Sequence, residues 1–351
     1  MHVPGHDDQE TPHEPPHEEN GSLDTESLDR RKRQTIHLLR LDAAAIEIIS
    51  TLTLHEIPSL LLKGASFRAW LYPGEGRAQV DVDILVPEGQ WGQAVRVLES
   101  LGFIPHRHGP TGGNWHRDRD RLWVDLHRTL SGIRVSPAVL WTTLWQERTT
   151  MDLHRVTVPI LNERARVFHV VMHAIQTGNA KTKAVQDLTR ATEVVPLMRW
   201  QEAWELAVHL GATDRFVSSL RLYAPSGAGL ADRLGASSRV RFLECLQAIE
   251  DVPAAEALAG LIEGNWRQRG TTLKRWLWPG ADFMADLERG HVPNVPGWIR
   301  HRQSGLTRFY LWRGFQVVSF LMRFPAALRL RHTADQAAYR QTASRPWRDD
   351  R

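Results

Sequence analysis

Two aspartates one residue apart, Asp81 and Asp83, lie inside the run Gln79-Val80-Asp81-Val82-Asp83-Ile84-Leu85-Val86. The run predicts a strand, on which alternate side chains share a face. Asp81 and Asp83 then stand side by side, with α-carbons roughly 6.5–7 Å apart at a rise of ~3.3 Å per residue. Val80, Val82 and Ile84 take the opposite face, towards a core. Neighbouring carboxylates repel and raise each other's pKa, so a positive charge belongs between them, and a divalent cation with oxygen ligands supplies it. A second run, Leu122-Trp123-Val124-Asp125-Leu126-His127, puts Asp125 and His127 on one face by the same alternation. If the two strands pair, Asp125 joins Asp81 and Asp83 in one metal cluster. Three carboxylates holding two magnesium ions, with manganese as the alternative, suit in-line attack on a nucleotide phosphate. One metal lowers the pKa of the attacking hydroxyl, and the other neutralises the triphosphate and its leaving oxygen.

Upstream lies Leu61-Leu62-Lys63-Gly64-Ala65-Ser66-Phe67-Arg68, a strand end running into a helix start. Such a turn presents backbone N–H groups and the positive end of a helix dipole to a phosphate. Gly64 permits close approach, Ser66 adds a hydroxyl, and Lys63 and Arg77 are cations for the triphosphate or the acceptor.

The elements that must hold these residues follow from periodicity. Asp24 to Leu54 reads as a helix with Ile36, Leu39, Ala43, Ile46 and Ile49 on its apolar face. Strands are expected at 57–62, 79–86, 103–106, 122–126 and 156–161, and helices at 64–71 and 91–101. Gly109 to Gly113 reads as a turn. His106, His108, His116, Asp118 and Asp120 read as one solvated loop region. From Glu163 to about Ile262 the pattern is mostly helical. The fold class is therefore α+β, a small mixed sheet with helices followed by a mainly helical region. The expected divisions are an acidic disordered tail at 1–23, a core at 24–162, a helical region packing on it at 163–262, and a basic Trp/Arg-rich helical region at 263–351.

Composition narrows the classes. Cys245 is the single cysteine, which excludes an internal disulfide and a cysteine-rich zinc site. The start is polar and acidic without a basic-then-apolar leader, and no apolar run reaches the ~20 residues that span a bilayer, so a cytoplasmic protein is expected. The formal net charge of +4 is unevenly spread: residues 1–29 carry no Lys or Arg, whereas Arg300, Arg302, Arg308, Arg313, Arg323, Arg329 and Arg331 precede the next acid at Asp335. With apolar clusters at 309–312 and 315–322, this end suits a core-packed helix, an anionic membrane or a protein partner. Tryptophans among arginines also suit single-stranded nucleic acid. His169 and His173 share a helix face, and a structural or substrate-facing role is expected of them.

Lys63-Gly64, Leu71-Tyr72-Pro73, Arg77, Asp81-Val82-Asp83-Ile84-Leu85-Val86 and Val124-Asp125-Leu126-His127 resemble the uncharacterised bacterial nucleotidyltransferase family of the DNA polymerase beta-like superfamily. The histidines at 169 and 173 and Gln186-Asp187-Leu188 extend the resemblance, which covers about Ile36 to Val195. It implies a polymerase beta-like core, magnesium, a nucleoside triphosphate donor, and an acceptor hydroxyl or phosphate. Asp81, Asp83 and Asp125 would bind metal, Asp125 would also help activate the acceptor, and Gly64 and Ser66 would touch the triphosphate. The Gly64-Ala65-Ser66 loop departs from the Gly-Gly or Gly-Ser of the superfamily. The acceptor expected is a small molecule or peptide, in keeping with natural-product biosynthesis. The alternatives are transfer RNA as acceptor, a manganese-dependent glycosyltransferase, or an inactive relative that binds a partner.

Overall fold

The computed structural model describes residues 20–109, 111–177, 183–223, 227–236, 240, 244–245, 261, 266–278, 284, 287, 296–300 and 305–343. In chain order the first half runs α1 (Asn20–Leu54), β1 (Leu60–Leu61), α2 (Ala65–Leu71), β2 (Asp81–Leu85), α3 (Trp91–Ser100), β3 (Ile104–His108), β4 (Gly112–Arg117), β5 (Leu122–His127), α4 (Pro137–Gln146), β6 (Arg148–Leu153) and β7 (Val156–Leu161). Helices α5 (Glu163–Thr177), α6 (Lys183–Val194), α7 (Leu197–His209), α8 (Thr213–Tyr223) and α9 (Gly227–Arg233) follow. Beyond them lie α10 (Trp266–Leu277), α11 (Gly297–Arg300) and α12 (Gly305–Ala343). The strands form one mixed sheet in the order β3-β4-β5-β2-β1-β7-β6.

Alternation along the strands gives this sheet two different faces. Val82, Ile84, Val86, Val124 and Leu126 pack on one side with Leu41, Ile48 and Leu52 of α1 and Val97 and Leu98 of α3. Leu60, Leu62, Leu85 and Leu161 pack on the other side with α5 to α9, through Phe168, Val171, Trp200, Phe216 and Leu220. Each fully buried large apolar side chain contributes about 1.5–3 kcal/mol relative to exposure. The second core draws on residues from Leu60 to Ala236, so sheet and helices share one interior.

Several expectations are adjusted. Helix α1 begins by Asn20, taking in residues 20–23 that composition assigned to the tail; residues 1–19 lie outside the described residues. A helix propagates cheaply once nucleated downstream, so polar composition does not mark its start. Its buried face is Leu41, Ala44, Ala45, Ile48, Ile49 and Leu52, whereas Ile36 and Leu39 are exposed. Both stripes have helical spacing, and only the sheet selects between them. Of the expected solvated loop region, Asp118 and Asp120 lie in the turn after β4, whereas His106, His108 and His116 lie on the hairpin β3–β4, with Trp115 fully buried. Arg117 is buried and bonded to Glu47 of α1 at 2.8 Å and Asp120 at 2.7 Å, with its guanidinium over the Phe103 ring. Helix α4 starts on Ser136, whose hydroxyl accepts from the Val139 N–H at 3.3 Å, with Pro137 in the first turn. No helix among the described residues is long and apolar enough to cross a membrane.

At Gly112 the backbones of β4 and β5 come close. A Cβ there would lie within 3.0 Å of the His127 α-carbon and collide with the Leu126 carbonyl, both of them backbone. Gly112→Ala should therefore push β4 off β5 and cost about 1–3 kcal/mol, an overpacking penalty. Thermal denaturation checks this, and an unchanged melting temperature would show that the two strands are not held at this spacing.

Candidate active site

Strands β2 and β5 run parallel, with Asp83 directly opposite Asp125. On β2 the face that is apolar at Leu85 turns acidic at Asp83 and Asp81, towards the strand's N-terminal end. The register therefore places three carboxylates beside the helical layer but above its apolar part. All three line a cleft of about 600 Å³, together with Lys63, Gly64, Arg77, Ala78, Gln79, Val80, His173, Lys183, Ala184 and Asp187.

Asp83 is only 2% exposed, so its charge must be met inside the protein. Lys63, at the end of β1, meets it: its Nζ lies 2.7 Å from Asp83 Oδ1. The same ammonium donates to His173 Nε2 at 3.0 Å. An ammonium has no acceptor, so His173 carries its proton on Nδ1. His127 donates through Nε2 to Asp83 Oδ1 at 3.3 Å. Asn114 of β4, in register with Asp125, donates from Nδ2 to Asp125 Oδ1 and orients that carboxylate.

These contacts divide the acids by charge. Burial raises the Asp83 pKa, but Lys63 and His127 outweigh it and hold the group well below the usual carboxylate range. Asp83 in turn repels Asp81, and with burial this lifts Asp81 to about 7 against the pull of Lys63. Burial and Asp83 also raise Asp125. Burial lowers the Lys63 ammonium, but Asp83, Asp81 and Asp125 reverse the shift and keep it charged. Burial and Lys63 lower His169 to about 3 and push His173 down as well, so both rings are neutral. They stack in parallel, centroids 6.0 Å apart; His173 faces the cleft and His169 lies behind it against Phe67.

The other sequence candidates divide. Gly64 lines the cleft with φ of 69°, and a Cβ there would collide with the Gln79 side-chain amide. That amide donates to the Asp81 carbonyl at 2.9 Å, so the glycine lets Gln79 brace the start of β2. Ser66 is buried outside the cleft lining, and its hydroxyl donates to the Lys63 carbonyl at 3.3 Å. Arg77 lines the cleft but is paired in fork geometry with Asp187, Nε to Oδ1 at 2.9 Å and Nη2 to Oδ2 at 2.6 Å. Tyr72 donates to the same Asp187 Oδ1 at 3.0 Å.

Fully buried Asp187 thus pins α6 to the chain before β2, and Lys183, one turn earlier, faces the same side. Lys183 Nζ is buried without a hydrogen-bond partner among the described residues. Burial and Arg77 lower its pKa to about 8. Asn114 and Lys183 were not among the sequence candidates. The alternation of Gly112-Gly113-Asn114-Trp115-His116-Arg117 is the signal for the first, and the four-residue spacing to Asp187 for the second.

The donor set fits a divalent cation. Asp83, Asp125 and His127 offer ligand atoms all within 4.8 Å of one another, and Asp81 stands next along β2 in the same cleft. Carboxylate oxygens with one imidazole suit a divalent metal.

The uncharacterised nucleotidyltransferase family pattern matches residues 7–225. No curated protein matches the sequence. Among solved structures, the chain is similar to an antibiotic-resistance factor determined in solution, at 13% identity and a TM-score of 0.37, over 49% of this chain and 95% of that one. A lincomycin-bound lincosamide antibiotic adenylyltransferase is similar at 13% identity and a TM-score of 0.32, over 42% and 94%. A CCA-adding enzyme is similar at 11% identity and a TM-score of 0.29, over 81% of each chain.

A cation bound at Asp81 would compete with a proton there. Below its raised pKa of about 7 the folded protein holds a proton there that the unfolded chain, near 3.8, has released. In that window the metal-free fold loses stability as pH rises, and a bound cation reverses the loss. Millimolar manganese or magnesium should therefore raise the melting temperature more at pH 8 than at pH 5.5. Asp81→Asn should flatten the difference. An equal metal increment at both pH values would rule out the competition. Lys63→Met leaves Asp83 without its ammonium and should cost about 3–5 kcal/mol in metal-free buffer. Denaturant unfolding measures it, and a loss below about 1 kcal/mol would show that Asp83 does not depend on Lys63.

Proposed function

The chain belongs to the uncharacterised nucleotidyltransferase family, and from that premise we propose that it moves a nucleoside monophosphate from a nucleoside triphosphate to a hydroxyl or phosphate acceptor, with magnesium bound at Asp81, Asp83 and Asp125. The observation that carries this reading is the convergence of three carboxylates and two lysines, Lys63 and Lys183, on one cleft. The acceptor oxygen attacks the α-phosphorus, the bond from that phosphorus to the bridging oxygen breaks, and pyrophosphate leaves with the electron pair. The acceptor proton passes to Asp125 Oδ2, because Asn114 donates to Oδ1 and holds the group in place. Its raised pKa makes Asp125 a stronger base than an ordinary carboxylate. Divalent cations, when bound, supply charge neutralisation for the triphosphate and the leaving oxygen.

The triphosphate lies along the cationic side of the cleft. Lys183 is the principal contact, since its ammonium has no protein partner among the described residues, whereas Arg77 is held by Asp187. The Gly64 turn flanks the same cleft. The acceptor enters over the apolar lip of Ala78 and Val80; Val80, expected to face the core, is instead 69% exposed at the cleft. An apolar lip favours a small-molecule or peptide acceptor, in keeping with a role in natural-product biosynthesis.

Pyrophosphate release and transfer of labelled nucleotide, with magnesium and hydroxyl-bearing small molecules or peptides, test the reading. Asp83→Asn should lower turnover at least about a hundredfold. Lys183→Met should raise KM for the nucleotide about tenfold, roughly 1.4 kcal/mol of binding, with a smaller change in kcat. Transfer that survives the double change Asp81→Asn and Asp83→Asn would reject the assignment.

A further inference from the structure

Helix α12 already has an inward face, where Phe309 and Trp312 are buried with Ile299 of α11 and Leu287. Its outward face is apolar as well. Leu306, Tyr310, Val317, Leu321, Phe324 and Leu328 are between 39% and 60% exposed. At 100° per residue these six fall within a sector of about 60° that runs ~33 Å along the helix axis. Met322, at 78%, and Val318, at 58%, widen the stripe. Helix α10 continues the surface, since Tyr310 donates its hydroxyl proton to the Leu277 carbonyl at 3.1 Å. Beside that contact Leu277 is 48% and Trp278 75% exposed.

Within the described stretches of these helices as far as residue 334 the charge has one sign. Residues 266–278, 296–300 and 305–334 contain no Asp or Glu. Arg269, Lys274 and Arg329 are exposed, and Arg308, Arg323 and Arg331 are half-buried. Long basic side chains at the borders of an apolar stripe can cover it with their stems and carry their charges outward.

We propose that the joint face of α10 and α12 lies on an anionic phospholipid surface. The apolar stripe enters the boundary between headgroups and acyl chains, and the exposed Lys274 and Arg329 meet the headgroup phosphates. Tyr310 and Trp278 match that boundary, each with a polar tip on an apolar body. A second copy of the chain would bring like charges together. A convex helix also offers no pocket of the kind that receives a protein partner's anchoring side chains. The depth is that of a surface-bound helix, because no described helix is apolar enough to span.

Sedimentation of the full chain with sucrose-loaded vesicles tests this. Vesicles of phosphatidylcholine with phosphatidylglycerol should bind the protein at least about tenfold better than phosphatidylcholine alone, and raised salt should weaken the binding. The double change Leu321→Glu and Leu328→Glu sits on exposed positions away from the cleft. It should reduce vesicle binding about tenfold with an unchanged circular dichroism spectrum and unchanged nucleotidyl transfer in solution. Equal binding to both lipids, no vesicle binding by the folded protein, or full binding by the double variant would overturn the proposal. So would a stable soluble dimer that ignores vesicles.

Discussion

A buried negative charge has to be answered, and the contact between Lys63 and Asp83 is the answer around which this protein is arranged. Asp83 sits on a central strand with almost no access to water. Left alone it would be neutralised by a proton, and a carboxylic acid is a poor ligand for a hard cation. The ammonium at 2.7 Å keeps it ionised. The neutral ring of His173 then takes a second bond from the same ammonium without adding charge. Asp81 carries the remaining cost, and its raised pKa is the imprint of two acids and one cation in one place.

The sheet makes this arrangement reproducible. Parallel pairing of β2 with β5 sets Asp83 against Asp125, and antiparallel pairing of β5 with β4 sets Asn114 against Asp125. A shift by one residue would turn the acids towards α1 and Val82 and Val124 towards the cleft. The apolar opposite face forbids that shift, because Val82, Ile84, Val124 and Leu126 are all fully buried. Specificity of the site thus rests on hydrophobic packing behind it.

Period-two alternation was legible in the sequence wherever it was strong. It located β2 and β5 and the shared face of Asp81 and Asp83, and the structure sets Asp125 opposite Asp83. It failed for β4, where two glycines open the strand and three polar residues interleave with Trp115. Helical periodicity located α1 and, with Ile46 and Ile49, part of its buried face, but it also drew in Ile36 and Leu39, which are as apolar as Leu41 and Ile48. The pairing of Lys63 with His173 and of Arg77 with Asp187 was beyond reach for another reason. Both partners lie 110 residues away, and nothing local to a cation announces which distant group will accept its hydrogen bond.

That same separation bears on how the protein comes into being. His173 and Asp187 belong to the helical layer, while the acids and the sheet precede it in the chain. Long-range closures of this kind form late. A chain emerging from the ribosome can therefore pair its strands well before Arg77 has found Asp187 and before Lys183 has been carried to the cleft. The cleft stays unfinished until α6 docks and brings Lys183, Ala184 and Asp187 to its lining.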